Sequence, residues 1–282
     1  MTPRLAGTGV WSSELRFADP AETLDAIAEV EALGYAAAWV PDGFGDEFPA
    51  LERLLDATSS LTVATGILSI WNRPAADVAR WWTSLDDPRS ARLLVGLGVS
   101  HSLLVGETWA RPVAAMGAYL DALDAGGLPR DARCLAALGP RMLAMARDRS
   151  AGAHPYLVTP EHTASAREIL GDALLAVEQG VVLERDPERA RSIARGTIDG
   201  YCSLENYVRS WKRIGFTEDD VTHRSDRLVD ALVVWGDEDT IARRVAEHRD
   251  AGADHVCIQV LGEPGAMSPP RDAWRALAPA LR

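Results

Sequence analysis

The sequence predicts an α/β fold, a single (β/α)8 barrel over residues 1–282, and three observations carry that prediction. Three apolar runs, Ala36-Ala-Ala-Trp-Val-Pro-Asp42-Gly43, Leu61-Thr-Val-Ala-Thr-Gly66-Ile-Leu-Ser69 and Arg92-Leu-Leu-Val-Gly-Leu-Gly-Val-Ser-His101, each end in a short polar or glycine-rich tip. The tips recur about 30 residues apart, the length of one strand, one covering helix and two loops. Near-continuous apolar runs also belong to strands buried on both faces, hence to a parallel sheet with its functional groups at the carboxyl ends. A doubly wound open sheet is the alternative, and it normally uses fewer strands.

The first strand is Leu5-Ala-Gly-Thr-Gly-Val-Trp11, after which Asp19-Pro20 supplies a helix cap and a proline at the first helical position. Leu24, Ile27, Val30 and Leu33 give that helix an apolar face, and Gly34 stops it. The same grammar repeats: strand two ends at Asp42 before a helix around 49–57, and strand three ends near Ser69 before a helix over 74–85. Strand four ends at Gly98, and a helix over 108–125 is stopped by Gly126-Gly127. The fifth strand is Cys134-Leu-Ala-Ala-Leu138, running through Gly139-Pro140 into a helix. The sixth is 151–158, with Thr159-Pro160 opening the next helix, and the seventh is 174–183, followed by Asp186-Pro187. His255-Val-Cys-Ile-Gln-Val-Leu261 is the eighth, Leu232-Val-Val-Trp235 is a spare short strand, and 200–230 is assigned to the barrel exterior or a subunit contact.

Composition narrows the function classes. The chain is 47% hydrophobic, enough to bury a large core, and its 29 basic against 41 acidic residues leave a formal charge of -12. Such a surface repels nucleic acid and anionic membranes, so a small-molecule substrate is expected and neither of those partners is. The cysteines Cys134, Cys202 and Cys257 have no CxxC spacing, and two lie in apolar runs as buried thiols. No leader-like segment opens the chain and no apolar run reaches spanning length, from which a soluble, reduced, cytoplasmic protein is expected.

The candidate site residues lie at the strand ends. Gly96-Leu-Gly98-Val-Ser-His101 lacks the third glycine of a dinucleotide fingerprint and does not complete a nucleophile elbow. Its glycines admit close approach of a flat ligand, or simply a tight turn. Asp42 either faces a ligand or starts an Asx turn with Pro41 and Gly43. His101, His154 and Asn72 lie just past strand ends, whereas His162, His223 and His248 fall in polar helices and are read as solvated. His255 is read as opening a strand. No ligand spacing suggests a metal. Leu138-Gly139-Pro140-Arg141 is either a phosphate seat at a helix N-terminus or a plain turn.

Together these segments resemble the luciferase-like monooxygenase superfamily of TIM barrels, in particular its actinobacterial branch of oxidoreductases dependent on coenzyme F420. The resemblance rests on Ala32-Leu-Gly-Tyr-Ala-Ala-Ala-Trp-Val-Pro-Asp42, Ala64-Thr-Gly-Ile-Leu68 with Asn72-Arg-Pro74, Leu94-Val-Gly-Leu-Gly98, Ala136-Ala-Leu-Gly-Pro140 and Glu247-His-Arg-Asp-Ala-Gly-Ala-Asp-His-Val-Cys-Ile258. It implies a carboxyl-end pocket holding a deazaflavin or flavin ring, with Asp42, Thr65, Gly66, Ile67, Gly96 and Gly98 about the ring and a non-proline cis peptide at Gly66-Ile67. It also implies a cofactor phosphate on Leu138, Gly139, Pro140 and Arg141, completed near Gly152 and His154, with Arg147 and Arg149 available to an oligoglutamate tail. Trp71, Asn72 and Arg73 form the expected substrate lip. Where several relatives carry a substrate-facing histidine this chain has Gly43, so His101 becomes the candidate for proton transfer beside Asp42. The implied activity is hydride transfer between coenzyme F420 and a small organic substrate; an FMN-dependent monooxygenase and a non-catalytic flavin-binding relative are the alternatives. The excursion between strands four and five is modest, so the substrate pocket is expected either to be open or to be completed by a second copy in a homodimer.

Overall fold

Parallel strand follows strand around a closed barrel in the computed structural model, which describes residues 5–43, 45–109, 111–263, 265 and 267–282. The strands are β1 (Gly7–Trp11), β2 (Ala37–Val40), β3 (Thr62–Thr65), β4 (Leu68–Ser69), β5 (Leu93–Gly98), β6 (Arg133–Leu135), β7 (Gly152–Ala153), β8 (Leu174–Val182), β9 (Val233–Trp235) and β10 (His255–Val260). β3 and β4 are two halves of one stave, and they pair with successive stretches of β5. The barrel closes where β10 pairs with β1 on one side and with β8 on the other, from His255 opposite Ala176 to Val260 opposite Val181. β9 is the spare strand: it pairs with Gly180 to Val182 of β8, beyond the short β7. All eight expected staves are present.

The helices form where the sequence signals place them. Asp19 accepts hydrogen bonds from the Ala21 and Glu22 amides above Pro20, and the Thr159, Asp186 and Asp237 side chains cap their helices in the same way. The helix expected over 108–125 runs Pro112–Ala125; Gly106–Thr108 forms a separate turn, and Ala110 lies outside the described residues. No helix among the described residues is long and apolar enough to cross a membrane.

Two layers of apolar side chains hold the barrel. One lies between strands and helices, and the other fills the barrel with Trp11, Trp39, Ala64, Leu94, Cys134, Ala176 and Cys257. Large and small side chains alternate inside. Trp39 stacks on His154 with ring centroids 4.0 Å apart, and its Nε1 donates to His255 Nε2 at 3.1 Å. Gly9 makes room for that imidazole: a Cβ there would lie 2.7 Å from His255 Nε2 and 2.6 Å from the Ala37 carbonyl. His255 thus opens a strand, and Cys134 and Cys257 are buried free thiols.

Two expectations change. His162 and His248 are buried rather than solvated: His162 Nε2 meets the Leu138 carbonyl at 3.0 Å, and His248 joins Gln179 on the outer face of β8 to Thr163. Burial pushes the His248 imidazole down to about 3. The helices Pro187–Ile198, Glu205–Arg213 and Asp226–Leu232 pack about Trp211, Tyr207 and Leu228 as a second core, and residues 200–213 stand over the carboxyl end of the barrel instead of lying outside it. The main excursion therefore follows β8, not β5.

Candidate active site

At the carboxyl ends of the strands two overlapping lobes of about 1000 and 550 Å³ form one cleft. Ile67, Ser100, His101, Ala136, His154 and Tyr156 belong to both lobes. Its floor is the break between β3 and β4, where the Gly66–Ile67 peptide is cis. A side chain on Gly66 would force the Trp11 indole to move, because a Cβ would lie 2.4 Å from Trp11 Nε1 and 3.4 Å from His154 Nε2. Those two nitrogens are buried without hydrogen-bond partners. His154 Nδ1 donates to the Ala176 carbonyl at 2.8 Å, which fixes the tautomer, and burial lowers the imidazole to about 4, so Nε2 is a bare acceptor at neutral pH. An unpaired donor and an unpaired acceptor therefore lie side by side on the floor, and each is costly unless a ligand uses it.

Asp42 ties the end of β2 to β4. Its Oδ1 accepts from the Gly43 amide at 2.7 Å, and its Oδ2 accepts from the Ser69 amide at 3.0 Å and Asn72 Nδ2 at 3.1 Å. Asx-turn chemistry and a place on the cleft wall coexist in this residue. Arg73 also lines the cleft, but its guanidinium is neutralised by buried Glu47 and by Asp46 at 3.2 Å. Gly43 is explained by packing: a Cβ there would meet the Phe17 ring at 2.3 Å.

The opposite wall is aromatic. Tyr156, Tyr201 and Tyr207 pack with centroids 4.9 to 6.5 Å apart, and burial raises each hydroxyl above its usual range. His101 lies 5.5 Å from Tyr207, with its Nδ1 2.9 Å from Asn206 Oδ1. Burial holds the imidazole below its ordinary value, against the opposing Asn206 hydrogen bond. With Nδ1 as donor to the amide oxygen, Nε2 is available to accept a proton from a ligand.

The smaller lobe runs to the N-terminus of the helix Pro140–Arg149, which no side chain caps. Gly139 is close-packed, since a Cβ would lie 3.2 Å from an Arg213 guanidinium nitrogen. Arg141, Arg209 and Arg213 all line this end. Arg209 pairs with Glu205; among the described residues Arg141 and Arg213 have no ion pair, and Arg213 is held below its usual range by burial and by Arg209. Pro140 has no N–H and the Met142 and Leu143 amides bond the Gly139 carbonyl, so the positive end of the helix and the unpaired Arg141 and Arg213 guanidiniums are what could hold an anion here. Arg147 and Arg149, in the last turn of the same helix, are bound to Asp148 and to Asp121 and Asp124, so they do not serve it. Arg209 and Arg213, four residues apart on the helix Glu205–Arg213, line that end of the lobe instead, and their spacing on a helix read as exterior is the signal that could have found them.

Four residues expected at the site stand off the cleft. Thr65 donates its hydroxyl to the Gly96 carbonyl at 2.8 Å within the wall, and a Cβ on Gly96 would strike the Thr65 carbonyl at 1.9 Å. Gly152 likewise faces the Leu174 carbonyl of the next strand, and Trp71 Nε1 donates to the Val99 carbonyl at 2.7 Å. Neighbouring backbone, not a ligand, demands these glycines. Asp42, Gly66, Ile67, Asn72, Arg73, Gly98, His101, Leu138, Gly139, Pro140, Arg141 and His154 do converge on the cleft.

The luciferase-like monooxygenase family model matches residues 3–128. No curated protein matches the sequence. Among solved structures, an F420-dependent secondary alcohol dehydrogenase in complex with an F420-acetone adduct superposes with a TM-score of 0.73 at 14% identity, covering 98% of this chain and 99% of the other. The coenzyme F420 dependent tetrahydromethanopterin reductase from Methanopyrus kandleri gives 0.72 at 15% identity, over 98% and 99%. The FMN-bound oxygenating constituent of 3,6-diketocamphane monooxygenase from the CAM plasmid of Pseudomonas putida gives 0.66 at 13% identity, over 98% and 97%. Residues 3–128 thus match the luciferase-like monooxygenase family model, and over nearly its whole length the chain has the barrel fold of structures described as F420-dependent and of one described in complex with FMN.

Proposed function

We propose that the protein is an oxidoreductase of the luciferase-like type that binds coenzyme F420 in this cleft and transfers a hydride between it and a small organic substrate. The observation that carries the reading is the pairing of an unsatisfied donor and acceptor on the floor with a surplus of positive charge at the Gly139 end. A deazaflavin ring presents alternating carbonyl and N–H groups along its pyrimidine edge; Trp11 Nε1 is suited to the former and His154 Nε2 to the latter. A flavin ring presents the same edge, so the floor favours neither cofactor. Arg141 and Arg213, the two without an ion pair, favour F420, because its phosphate is followed by an oligoglutamate tail that gives a second free guanidinium an anionic partner. When bound, the deazaflavin supplies a two-electron hydride donor or acceptor.

The chain's own residues supply orientation and proton chemistry. Ile67 and Gly98 line the cleft about the ring site; a Cβ on Gly98 would come within 2.5 Å of the Ile67 side chain, so the glycine keeps that approach open. His101 Nε2, held by Asn206 behind it, takes the proton of a substrate hydroxyl when the substrate is oxidised. At the Asp42 end the arginine is already neutralised, so the substrate part seated there carries no anionic group.

The test is a fluorescence titration of the purified protein against F420 and FMN side by side, repeated on Arg213→Glu. F420 should bind more tightly, and Arg213→Glu should weaken F420 by about 10- to 100-fold, as expected for a charge-assisted contact, and FMN less. Preference for FMN, or equal loss for both, overturns the F420 assignment.

A further inference from the structure

Three buried rings are joined inside the barrel: His255 at the start of β10, Trp39 on β2, and His154 just after β7. The Trp39 indole stacks on the His154 imidazole with 4.0 Å between centroids and 14° between planes, and its Nε1 donates to His255 Nε2 at 3.1 Å. His255 Nδ1 faces the Ala6 carbonyl at 3.4 Å, and His154 Nδ1 donates to the Ala176 carbonyl at 2.8 Å. Both imidazoles therefore share one tautomer, with the proton on Nδ1 and a lone pair on Nε2. Trp39 occupies the lone pair of His255, whereas Nε2 of His154, a residue that lines both lobes of the cleft, is buried with no partner. Burial holds His154 at about 4 and His255 at about 3, so neither carries charge at neutral pH.

Each link removes one freedom. The hydrogen bond to Ala176 fixes the tautomer of His154 and the direction of its Nδ1, yet it leaves the ring free to tilt about that bond; the flat contact with Trp39 fixes the tilt. Trp39 in turn carries a buried N–H whose acceptor is His255. Without that acceptor the donor is left unsatisfied, and the indole is drawn toward another partner and away from its stack. Glycines clear both ends. A Cβ on Gly9 would lie 2.7 Å from His255 Nε2, and a Cβ on Gly66 would stand 3.4 Å from His154 Nε2, between that lone pair and the cleft.

Resting on the cofactor reading above, we propose that His255 is a positioning residue: acting through Trp39, it holds His154 Nε2 as a preset acceptor for an N–H on the edge of the cofactor ring. A hydrogen bond is directional, so an imidazole tilted off its line gives up much of that bond even when the cofactor ring still fits the floor. Fixing the imidazole beforehand moves the ordering cost from binding to folding. Neither Trp39 nor His255 lines the cleft, so their effect on a ligand passes through His154.

The test uses the full-length protein as wild type, His255→Leu and His255→Gln, each also combined with His154→Phe. Glutamine keeps an acceptor for the Trp39 N–H, leucine does not, and phenylalanine keeps a ring on Trp39 but has no lone pair. In fluorescence titration with F420, His255→Leu should weaken binding about 10-fold and His255→Gln less than about 3-fold, whereas in the His154→Phe background His255→Leu should change nothing further. Losses that add in the double variant, or equal losses with leucine and glutamine, overturn the proposal. NMR of protein labelled with heavy nitrogen at histidine reads the same link without cofactor. The His154 Nε2 resonance, identified by its absence from His154→Phe, should lie at the unprotonated position in wild type and His255→Gln and move in His255→Leu; an unmoved resonance overturns the proposal. Should His255→Leu fail to fold, Trp39→Phe tests the same contact, since it keeps a stacking ring and removes the N–H that His255 holds, and its F420 loss should likewise vanish in the His154→Phe background. Failure of wild type to bind F420 defeats the functional reading alone, because the NMR result still decides whether His255 sets His154.

Discussion

Glu178→Gln should change how stability depends on pH, and the size of the change follows from burial. In the unfolded chain the carboxyl ionises near 4.5; in the folded barrel it ionises near 8, because desolvation outweighs its hydrogen bond from Leu157. Between those values the unfolded state releases a proton that the folded state keeps. Folding is therefore favoured fully below about 4.5, and stability is lost as pH rises toward 8. At about 1.4 kcal/mol per pH unit the full difference is about 5 kcal/mol, of which about 4 kcal/mol develops above pH 5. Glutamine keeps the acceptor for the Leu157 amide and has no proton to lose. Urea unfolding at intervals from pH 5 to pH 9 should show wild type losing stability relative to Glu178→Gln by about 4 kcal/mol, with the difference levelling off above pH 8. Parallel profiles for the two proteins would refute the buried, neutral acid.

Gly96→Ala should cost about 3 kcal/mol or more, because its Cβ meets a fixed strand carbonyl at 1.9 Å. Gly43→Ala should cost about 1 kcal/mol or less, since the obstructing Phe17 ring is a half-exposed side chain that can swing aside; thermal melts of the two variants decide. Gly66→Ala should displace the Trp11 indole and lower F420 affinity, read as a change in tryptophan fluorescence and in the titration midpoint. His101→Ala should slow alcohol oxidation by about 100-fold and remove the acid limb of its pH profile, while leaving F420 affinity in place; an unchanged profile removes the histidine from proton transfer.

Much of this architecture is local information. Caps such as Asp19-Pro20 and Asp186-Pro187, glycine stops and doubly buried apolar runs are properties of short segments, so the strand order, the helix starts and even the spare strand at Val233–Trp235 could be read along the chain. The strand-end rule likewise puts Asp42, Gly66, Gly98, His101 and Gly139 at one end of the barrel from sequence, and all five line the cleft. What tertiary structure alone decided is which side chains share that cleft across long sequence distances. Glu178 lies within an apolar run; only the pairing of β8 with β10 and the packing of residues 155–157 against β8 bury its carboxyl inside the barrel with the Leu157 amide as its partner. Arg213 belongs to a helix whose periodicity says surface, and only its folding over the barrel mouth brings it to Gly139. Gly96 and Gly152 look like ligand contacts in sequence because glycine marks any close approach; the approaching atom, a neighbouring strand's carbonyl, is known only once the staves are paired. Periodicity encodes which face of an element is buried, whereas the partner on that face is set by three-dimensional packing.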